Sequence, residues 1–286
     1  MLLYGFINSM ILALLALGFS ITFGISRVAN FAHGAFYILG GILAWFFLVK
    51  LHFPYLVAAV LAIIIVGVVG GLLYKVFLAR LRGLELAEVI CTFAVGIIIL
   101  ELLRSMGIVG FQYRLPVFYL GSVEILGTYV GIQRLIIVFA GLLLLAALHF
   151  FVHHTKLGLA FRGVAQDDHT ALSVGINPDK ISMLSLMLGA MLCAFAAILI
   201  LPLGTISVDE GYDILLKSLA VCIIGGLEST VGLLAASFIL GYAEVLTAMY
   251  ISASLSAVVP LACMLGILLI RPSGLLGKYK EIEERI

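Results

Sequence analysis

The chain has 286 residues, of which 64% are hydrophobic and 11% are charged, and its formal net charge is +1. A soluble globular protein carries roughly 25% charged residues, and disordered chains are poor in apolar residues. Both classes are therefore excluded. Nucleic-acid binding is disfavoured because no basic stripe interrupts the apolar runs. These figures predict a polytopic membrane protein embedded in the lipid bilayer.

The apolar runs are long and continuous, which favours helices. Strands of an outer-membrane barrel alternate apolar and polar residues over about ten positions, and in lipid only a helix satisfies its own backbone across such runs. We predict one all-α transmembrane domain over residues 1–286, a polytopic helical bundle of about eight spans. The predicted spans are 2–23, 34–50, 55–74, 86–106, 131–152, 183–204, 231–250 and 254–270.

The distribution of cations predicts the orientation. With the N-terminus outside and the C-terminus in the cytoplasm, 11 of the 16 Lys and Arg residues lie on the cytoplasmic side, as the positive-inside rule requires. The first cation is Arg27, so residues 2–23 are predicted to be a retained span rather than a cleaved signal peptide. In this topology residues 214–226, too short to cross alone, complete their crossing through a break near Gly225 and Gly226.

Two short segments interrupt the apolar runs, residues 24–34 and residues 225–232. A similar apolar stretch follows each, and the preceding spans run in opposite directions, which predicts an inverted repeat. Paired breaks of this kind are typical of a translocation pathway, because free backbone groups are tolerated only beside a water-filled cavity or packed protein. The alternative is a pair of simple turns at the membrane surface. The predicted pathway residues are Asn30, His33, Gly34, Gly225, Gly226, Glu228 and Ser229.

The longest polar segment is the predicted cytoplasmic loop 153–181. We expect a short helix from about Leu159 to Val174, with Asp167 and Asp168 on its solvent side. Gly175 is expected to cap it and the following Pro178 to stop it. The helix presents a small apolar face formed by Ala171, Leu172 and Val174. Such a helix suits docking of a soluble partner, and the alternative is an amphipathic loop that merely lies on the surface.

Acidic residues within the spans suggest a second hypothesis, because intramembrane charges are usually functional. Glu101 is expected to pair with Arg104 one turn away. Glu244 lies late in a span and is expected to reach the outer interface. Glu228 is predicted to line the pathway or to form part of a gate.

Small residues are expected to pack helices closely at two G-x-x-x-G patterns, Gly67 with Gly71 and Gly127 with Gly131. The four cysteines are expected to be small packing residues. A lining this poor in charge predicts a weakly selective passage.

Several blocks of the sequence carry a family resemblance. They are Asn30-Phe31-Ala32-His33-Gly34, Thr155-Lys156-Leu157-Gly158, Arg162-Gly163-Val164-Ala165-Gln166, Gly175-Ile176-Asn177, Ile224-Gly225-Gly226-Leu227 and Arg271-Pro272-Ser273-Gly274-Leu275-Leu276-Gly277. In this order they resemble the permease subunits of branched-chain amino-acid ABC importers over nearly the whole chain. That family is also similar to ribose-type sugar permeases.

The resemblance implies a set of partners in the bacterial inner membrane. They are a second homologous permease forming a heterodimer, two cytoplasmic ATPase subunits, and a periplasmic or lipid-anchored solute-binding protein. The loop 153–181 would be the coupling helix that enters a groove on the ATPase. The coupling residues implied are Arg162, Asp167, Asp168, Ala171, Gly175, Ile176 and Asn177.

No catalytic residue, metal site or cofactor is predicted on this chain. It has no Walker A sequence, so ATP and Mg²⁺ are expected on the partner ATPases.

The resemblance thus implies ATP-driven import, by alternating access, of branched-chain or other small amino acids. Related solutes such as urea, amides or organic acids are open alternatives. The competing hypothesis is an ion-coupled secondary transporter that uses Glu101, Glu228 or Glu244. A membrane-embedded enzyme is disfavoured because no catalytic constellation is present.

Overall fold

The computed structural model describes residues 1–107, 113–125, 127–227 and 229–277, and this part of the chain is almost entirely helical. The all-α prediction is confirmed. The helices are α1 (Leu2–Ser26), α2 (His33–Trp45), α3 (Tyr55–Leu73), α4 (Ala79–Leu81), α5 (Glu85–Ser105), α6 (Ile132–His154), α7 (Lys156–Gln166), α8 (Asp168–Ser173), α9 (Pro178–Ile200), α10 (Glu210–Gly225), α11 (Thr230–Tyr250), α12 (Ala253–Ser256) and α13 (Val259–Ile270). Single π-helical turns extend α2 (Phe46–Lys50) and α3 (Tyr74–Leu78), and a 3₁₀ turn extends α9 (Leu201–Leu203).

Seven helices of the described chain are long and apolar enough to cross a membrane, which confirms the multi-pass bundle. They correspond one by one to the first seven predicted spans. With their terminal turns they are Leu2–Ser26, His33–Lys50, Tyr55–Leu81, Glu85–Ser105, Ile132–His154, Pro178–Leu203 and Thr230–Tyr250.

The predicted span 254–270 is not one helix. It is divided into α12 and α13, and α13 has only 12 residues, about 18 Å of helix. Pro260 lies in the first turn of α13, a position that proline tolerates because its missing N–H has no partner there. The apolar piece 214–226, by contrast, is the greater part of α10, a helix of 16 residues.

The first helix defines the two ends of the bundle. At the Met1 end, Tyr242 of α11 donates a hydrogen bond to the Leu2 carbonyl (3.0 Å), and Tyr4 donates one to the Tyr129 carbonyl (3.1 Å). At the Ser26 end, the Arg27 guanidinium donates to the Ala165 carbonyl of α7 at 3.2 Å. The helices α7 and α8 therefore lie at the opposite end of the bundle from the segment around Tyr129.

That segment is a β-hairpin, which the sequence did not predict. Strand β1 (Ser122–Ile125) pairs antiparallel with β2 (Thr128–Gly131), so that Ser122 lies opposite Gly131. Gly127 lies between the strands with a positive φ of 74°. The expected helix packing at Gly127 and Gly131 is therefore wrong, because both glycines belong to a hairpin and a Cβ at either would meet nothing within 4 Å.

The helix α1 lies at the centre of the bundle and packs against α6, α9, α10 and α11. It is apolar on all its faces, as expected of a helix surrounded by protein, and most of its side chains are buried. Small residues set its distance from its neighbours. A Cβ at Gly189 of α9 would overlap Thr22 and the Gly18 carbonyl, and a Cβ at Gly241 of α11 would overlap Ser9.

The helix α3 packs on α9 through the predicted pair Gly67 and Gly71. These glycines lie against the side chains of Met191 and Met187, respectively. The expected close packing at this pair is confirmed, and it is formed within the chain.

Replacing Gly189 with Ala is expected to destabilise the bundle. The added methyl group would force α1 and α9 apart, and overpacking of this kind costs about 1–3 kcal/mol. The measurement is the apparent melting temperature of the purified protein in mild detergent. Gly266→Ala is the matched control, because a Cβ at Gly266 of α13 meets nothing within 4 Å. Equal melting temperatures for the two variants would contradict the close approach.

Candidate functional site

The first interrupted segment, Arg27–Ala32, is a stretch of non-helical chain inside the bundle. The helix α1 ends at Ser26, and Arg27 adopts the left-handed conformation with φ 55°. The chain then turns back toward the Met1 end, so that the His33 ring meets the Leu15 carbonyl at 2.8 Å. Leu15 lies eleven residues before the end of α1, about 16 Å along the helix axis. The segment therefore re-enters the bundle to about half its depth.

Protein partners satisfy several of its polar groups, as an apolar interior without water requires. The Asn30 side chain is buried, and its oxygen accepts a hydrogen bond from the Ala32 N–H at 3.1 Å. Thr92 of α5 accepts one from the Phe31 N–H at 3.2 Å and lies 3.3 Å from the Ala29 carbonyl. Thr92 was missed by the sequence reasoning, because a single threonine in an apolar helix gives no signal.

The predicted residue His33 ties three helices together. It begins α2, its Nε2 lies 2.8 Å from the Leu15 carbonyl of α1, and the Cys193 thiol of α9 donates to its carbonyl oxygen at 3.0 Å. The ring is fully buried and meets the edge of Phe19. The expectation that the cysteines are packing residues is confirmed for Cys193 and for Cys222, both of which are buried.

The predicted residue Gly34 is a point of contact between backbones. A Cβ at Gly34 would overlap the carbonyl of Gly211 in the first turn of α10. No other residue fits here without moving one of the two helices. The N-terminal ends of α2 and α10 thus meet directly.

The second interrupted segment is a short turn between α10 and α11. Gly225 ends α10, Gly226 has a positive φ of 98°, and Ser229 caps α11 by accepting a hydrogen bond from the Gly232 N–H at 3.0 Å. Leu227 lies beside Gly24, which places the turn near the Ser26 end. Glu228 lies outside the described residues.

The two segments therefore lie at different depths of the bundle. Along α1, the neighbour of His33 is Leu15 and the neighbour of Leu227 is Gly24, a separation of nine residues or about 13 Å. The structure does not bring the two groups of predicted pathway residues into contact. A shared pathway and the inverted repeat both stay predictions.

The segment Arg271–Gly277 covers the second turn. The N–H groups of Leu275 and Leu276 donate to the carbonyls of Ile224 and Gly225 at 2.8 and 3.2 Å. A Cβ at Gly226 would overlap the backbone of Gly277. The two sequence blocks 224–227 and 271–277 are thus one structural unit.

The docking loop, which we define as residues 153–181, contains two helices rather than the single helix expected from Leu159 to Val174. Asp167 interrupts that helix and begins α8, because its side chain accepts hydrogen bonds from the N–H groups of His169 (2.7 Å) and Thr170 (3.1 Å). These N–H groups of Thr170 and His169 hold the pKa of the Asp167 carboxyl below its usual range.

The predicted end of this region is confirmed. Gly175 has a positive φ of 85° and follows α8. Its N–H donates to the Leu172 carbonyl and the Ile176 N–H to the Ala171 carbonyl, both at 3.0 Å, which is a Schellman motif. Asn177 then caps α9 through the Lys180 N–H at 3.2 Å. Pro178 occupies the first turn of α9.

One face of the docking loop is fixed to the bundle by a small hydrophobic cluster. Phe161, Val164 and Ala171 pack with Ile25 of α1 and Ile181 of α9. Ala171 is thus buried and does not belong to the exposed apolar face predicted for it. Arg162 and Asp168 are exposed, as are four apolar side chains, Leu157, Leu159, Leu172 and Val174.

Arg82, which follows α4, clamps the docking loop to the end of that helix. Its guanidinium lies 2.5 Å from the Asp168 carboxylate of α8 and also binds Asp179 of α9. Tyr74 donates a hydrogen bond to the same Asp179 at 3.3 Å. The sequence places Arg82 among the predicted cytoplasmic cations, but no local pattern predicts its two partners, which are 86 and 97 residues away.

Two of the acidic residues named for the ion-coupled alternative, Glu101 and Glu244, differ in their exposure to solvent. Glu101 is exposed and lies 3.6 Å from Arg104, so the expected pair is confirmed, and Arg104 also binds Asp209 at 2.7 Å. Glu244 does not reach an exposed interface as expected. It is 6% exposed, lies 3.3 Å from Lys217, and accepts a hydrogen bond from Asn8 at 2.8 Å.

A family model described as the permease component of branched-chain amino acid transport systems matches residues 1–268. The chain belongs to this family. It is 29% identical to the high-affinity branched-chain amino acid transport system permease protein LivH of Escherichia coli strain K12, over 95% of this chain and 92% of that protein. It is 30% identical to the probable branched-chain amino acid transport permease protein LivH of Methanocaldococcus jannaschii, over 95% and 90% of the two chains.

A solved structure shares the fold of this permease. It is PsaBC from Streptococcus pneumoniae in complex with Fab, which is 15% identical, with a TM-score of 0.52 over 95% of this chain and 92% of that chain. At this identity the likeness shows the fold alone.

Thr92→Val is expected to destabilise the permease by about 1–3 kcal/mol, because it leaves the buried Phe31 N–H without its acceptor while keeping the side-chain shape. The measurement is the free energy of unfolding in mixed micelles. A change below about 0.5 kcal/mol, the size typical of a neutral surface substitution, would contradict the role assigned to Thr92.

Arg82→Gln is expected to loosen α8 without unfolding the permease. Exposed ion pairs contribute about 0.2–1 kcal/mol each, so losing two pairs should speed amide hydrogen exchange in α8 by roughly two- to thirtyfold. The matched control is Arg80→Gln, which removes an exposed cation of α4 two residues before Arg82. The same exchange rate in both variants would show that Arg82 does not clamp the loop.

Proposed function

We propose that this chain is one permease subunit of an ATP-driven importer for branched-chain or other small amino acids, or for related small polar solutes. Membership of the family supports this, as do relatives that are themselves named as branched-chain amino acid transport permeases. The partners in this proposal are a second homologous permease, two ATPase subunits that bind ATP and Mg²⁺, and a solute-binding protein. The importer lies in the bacterial inner membrane.

The observation that carries the proposal is the form of the docking loop. Its inner face is fixed by the cluster around Phe161 and by Arg82, while Leu157, Leu159, Leu172 and Val174 are exposed on it. Exposed apolar side chains on a firmly attached element suit the docking of a partner protein, because the docking loop loses little conformational entropy when the partner binds. In the proposed topology this end faces the cytoplasm, with the N-terminus outside.

Contacts connect the docking loop to the buried segment Arg27–Ala32. Phe161 and Ala171 belong to one hydrophobic cluster with Ile25 in the last turn of α1, and Arg27 donates a hydrogen bond to the Ala165 carbonyl. A displacement of α7 and α8 by an ATPase would therefore act on the first residue of the segment. Through His33 the same segment is attached to both α1 and α9.

The proposed mechanism is alternating access with the segment Arg27–Ala32 as a hinge. Its backbone is not locked into helical hydrogen bonds, so it absorbs φ and ψ changes that a helix resists. ATP binding on the partner subunits would move the docking loop, and the hinge would let α2 shift relative to α1. No covalent chemistry on this chain is required.

The test uses the complete transporter reconstituted in lipid vesicles. Leu172→Asp places a charge on the exposed face of α8 without touching the buried cluster. We expect it to abolish solute-stimulated ATP hydrolysis and uptake, because burying an unpaired charge at an interface is strongly unfavourable. The matched control is Leu120→Asp, since Leu120 at the Met1 end is also exposed, 85% against 59% for Leu172, and this variant should leave hydrolysis unchanged.

Two results would contradict the proposal. One is undiminished coupling in the Leu172→Asp transporter. The other is uptake by this chain without any ATPase subunit, driven by an ion gradient alone, which would favour the ion-coupled alternative instead.

A further inference from the structure

A cavity of about 440 Å³ lies in the half of the bundle toward the Met1 end, and Leu15 in its lining contacts His33 of the first interrupted segment. It lies between α1, α2, the 3₁₀ turn after α9, and α10, with Pro260 of α13 at its edge. Its volume falls in the range of roughly 300–1,000 Å³ that is typical of small-molecule sites. In the proposed topology it opens toward the side from which solute arrives.

One wall of the cavity is apolar. Side chains of α1 and of the end of α9 form it, together with Ile214 of α10. The side chains from α1 and from the end of α9 are Ile11, Leu12, Leu15, Ile200 and Leu201. Such a wall suits an aliphatic group, whose burial contributes about 25 cal/mol per Å².

The opposite wall carries charges of both signs on one face of α10. Glu210, Asp213 and Lys217 all line the cavity, and their spacing of three and four residues places them on the same side of the helix. Two carboxylates and one ammonium group are therefore within reach of a single small ligand.

The ammonium group of Lys217 is held in place by other helices. Lys217 lies 3.3 Å from the buried carboxylate of Glu244, whose other oxygen accepts a hydrogen bond from Asn8. Asn8 also lines the cavity. The ammonium group is thus positioned by α1 and α11 rather than left free in solution.

The two carboxylates have no such partner. Among residues 1–107, 113–125, 127–227 and 229–277, neither Glu210 nor Asp213 forms an ion pair. Tyr37 of α2 also lines the cavity. The cavity therefore offers a ligand cation two neighbouring carboxyl groups that form no ion pair in the described part of the chain.

We propose that this cavity binds a zwitterionic amino acid with an aliphatic side chain. The ligand ammonium group lies at Glu210 and Asp213, its carboxylate at Lys217, and its side chain on the apolar wall. The choice of an aliphatic amino acid rests on the proposed function. The site makes the permease itself selective, in contrast to the weakly selective passage predicted from composition.

The charges exclude other solutes of the same size. A simple organic acid would bring its carboxylate to Lys217 but would leave Glu210 and Asp213 unpaired. An amine or amide lacks the carboxylate that would bind beside Lys217, whose ammonium group then keeps Glu244 as its one ion-pair partner among the described residues. Urea would fill neither the apolar wall nor the volume.

The test measures binding of radiolabelled L-leucine to the complete transporter in lipid nanodiscs, without the soluble binding protein. We expect saturable binding. Asp213→Asn and Glu210→Gln should each raise Kd by at least about threefold, since each removes a charge-assisted hydrogen bond. The matched control is Glu124→Gln, an exposed carboxylate of the hairpin, which should not change Kd.

Two analogues separate the charged contacts. L-Leucinamide lacks the carboxylate and 4-methylpentanoate lacks the ammonium group. We expect 4-methylpentanoate not to compete with L-leucine, and leucinamide to compete about tenfold more weakly than unlabelled L-leucine. In Lys217→Met the difference between leucine and leucinamide should fall below about threefold.

Lys217→Met leaves Glu244 buried without its cation and is expected to destabilise the protein. The two carboxylate variants therefore decide the matter, because neither Asp213 nor Glu210 forms an ion pair in the described part of the chain. The proposal is overturned if L-leucine does not bind, or if the Kd of Asp213→Asn and Glu210→Gln stays within threefold of the parent value.

Failure of the proposed function gives a different pattern. A transporter that binds L-leucine in this cavity yet shows no ATP-dependent leucine uptake would refute the function and keep the site. One that takes up leucine with unaltered Kd in the variants would refute the site and keep the function.

Discussion

Non-helical backbone in the middle of an apolar bundle must find all its hydrogen bonds inside the protein, and the arrangement of this permease depends on how Arg27–Ala32 does so. Asn30 satisfies the segment locally and Thr92 satisfies it from α5. His33 then fixes the start of α2 against the Leu15 carbonyl. Because these partners come from separate helices, α1, α2 and α5 are positioned together.

Much of the fold could be predicted because lipid imposes simple rules. Apolar length identified the seven long helices, and Gly175 with Pro178 marked the end of α8 and the start of α9. The sequence prediction was wrong where two local conformations compete for the same residues. Asp167 was read as a solvent-facing residue within one helix, whereas its carboxylate captures two N–H groups and begins a second helix. The hairpin at Gly127 was not predicted, because strands of four residues are too short to show a clear alternation of apolar and polar residues.

The candidate sites were predictable only in part, since their contacts join distant parts of the chain. The motif around Asn30 and His33 was recognised, but Thr92 and Arg82 act on residues far away in sequence. Glu244 was placed at an interface by its position late in a span. It is buried because Lys217 and Asn8, from two other helices, neutralise and bind it. The sequence pattern alone does not predict a pairing between residues so far apart in the chain.

The buried cysteines carry a practical consequence. The thiol of Cys193 donates to the His33 carbonyl, and that of Cys222 lies 3.7 Å from the Ala16 carbonyl, so each is sealed in a contact between helices. A maleimide can reach either sulfur only while those helices are apart. The rate of alkylation during turnover, compared with that at rest, would therefore count how often the bundle opens along α1, using reporters that the natural sequence already contains.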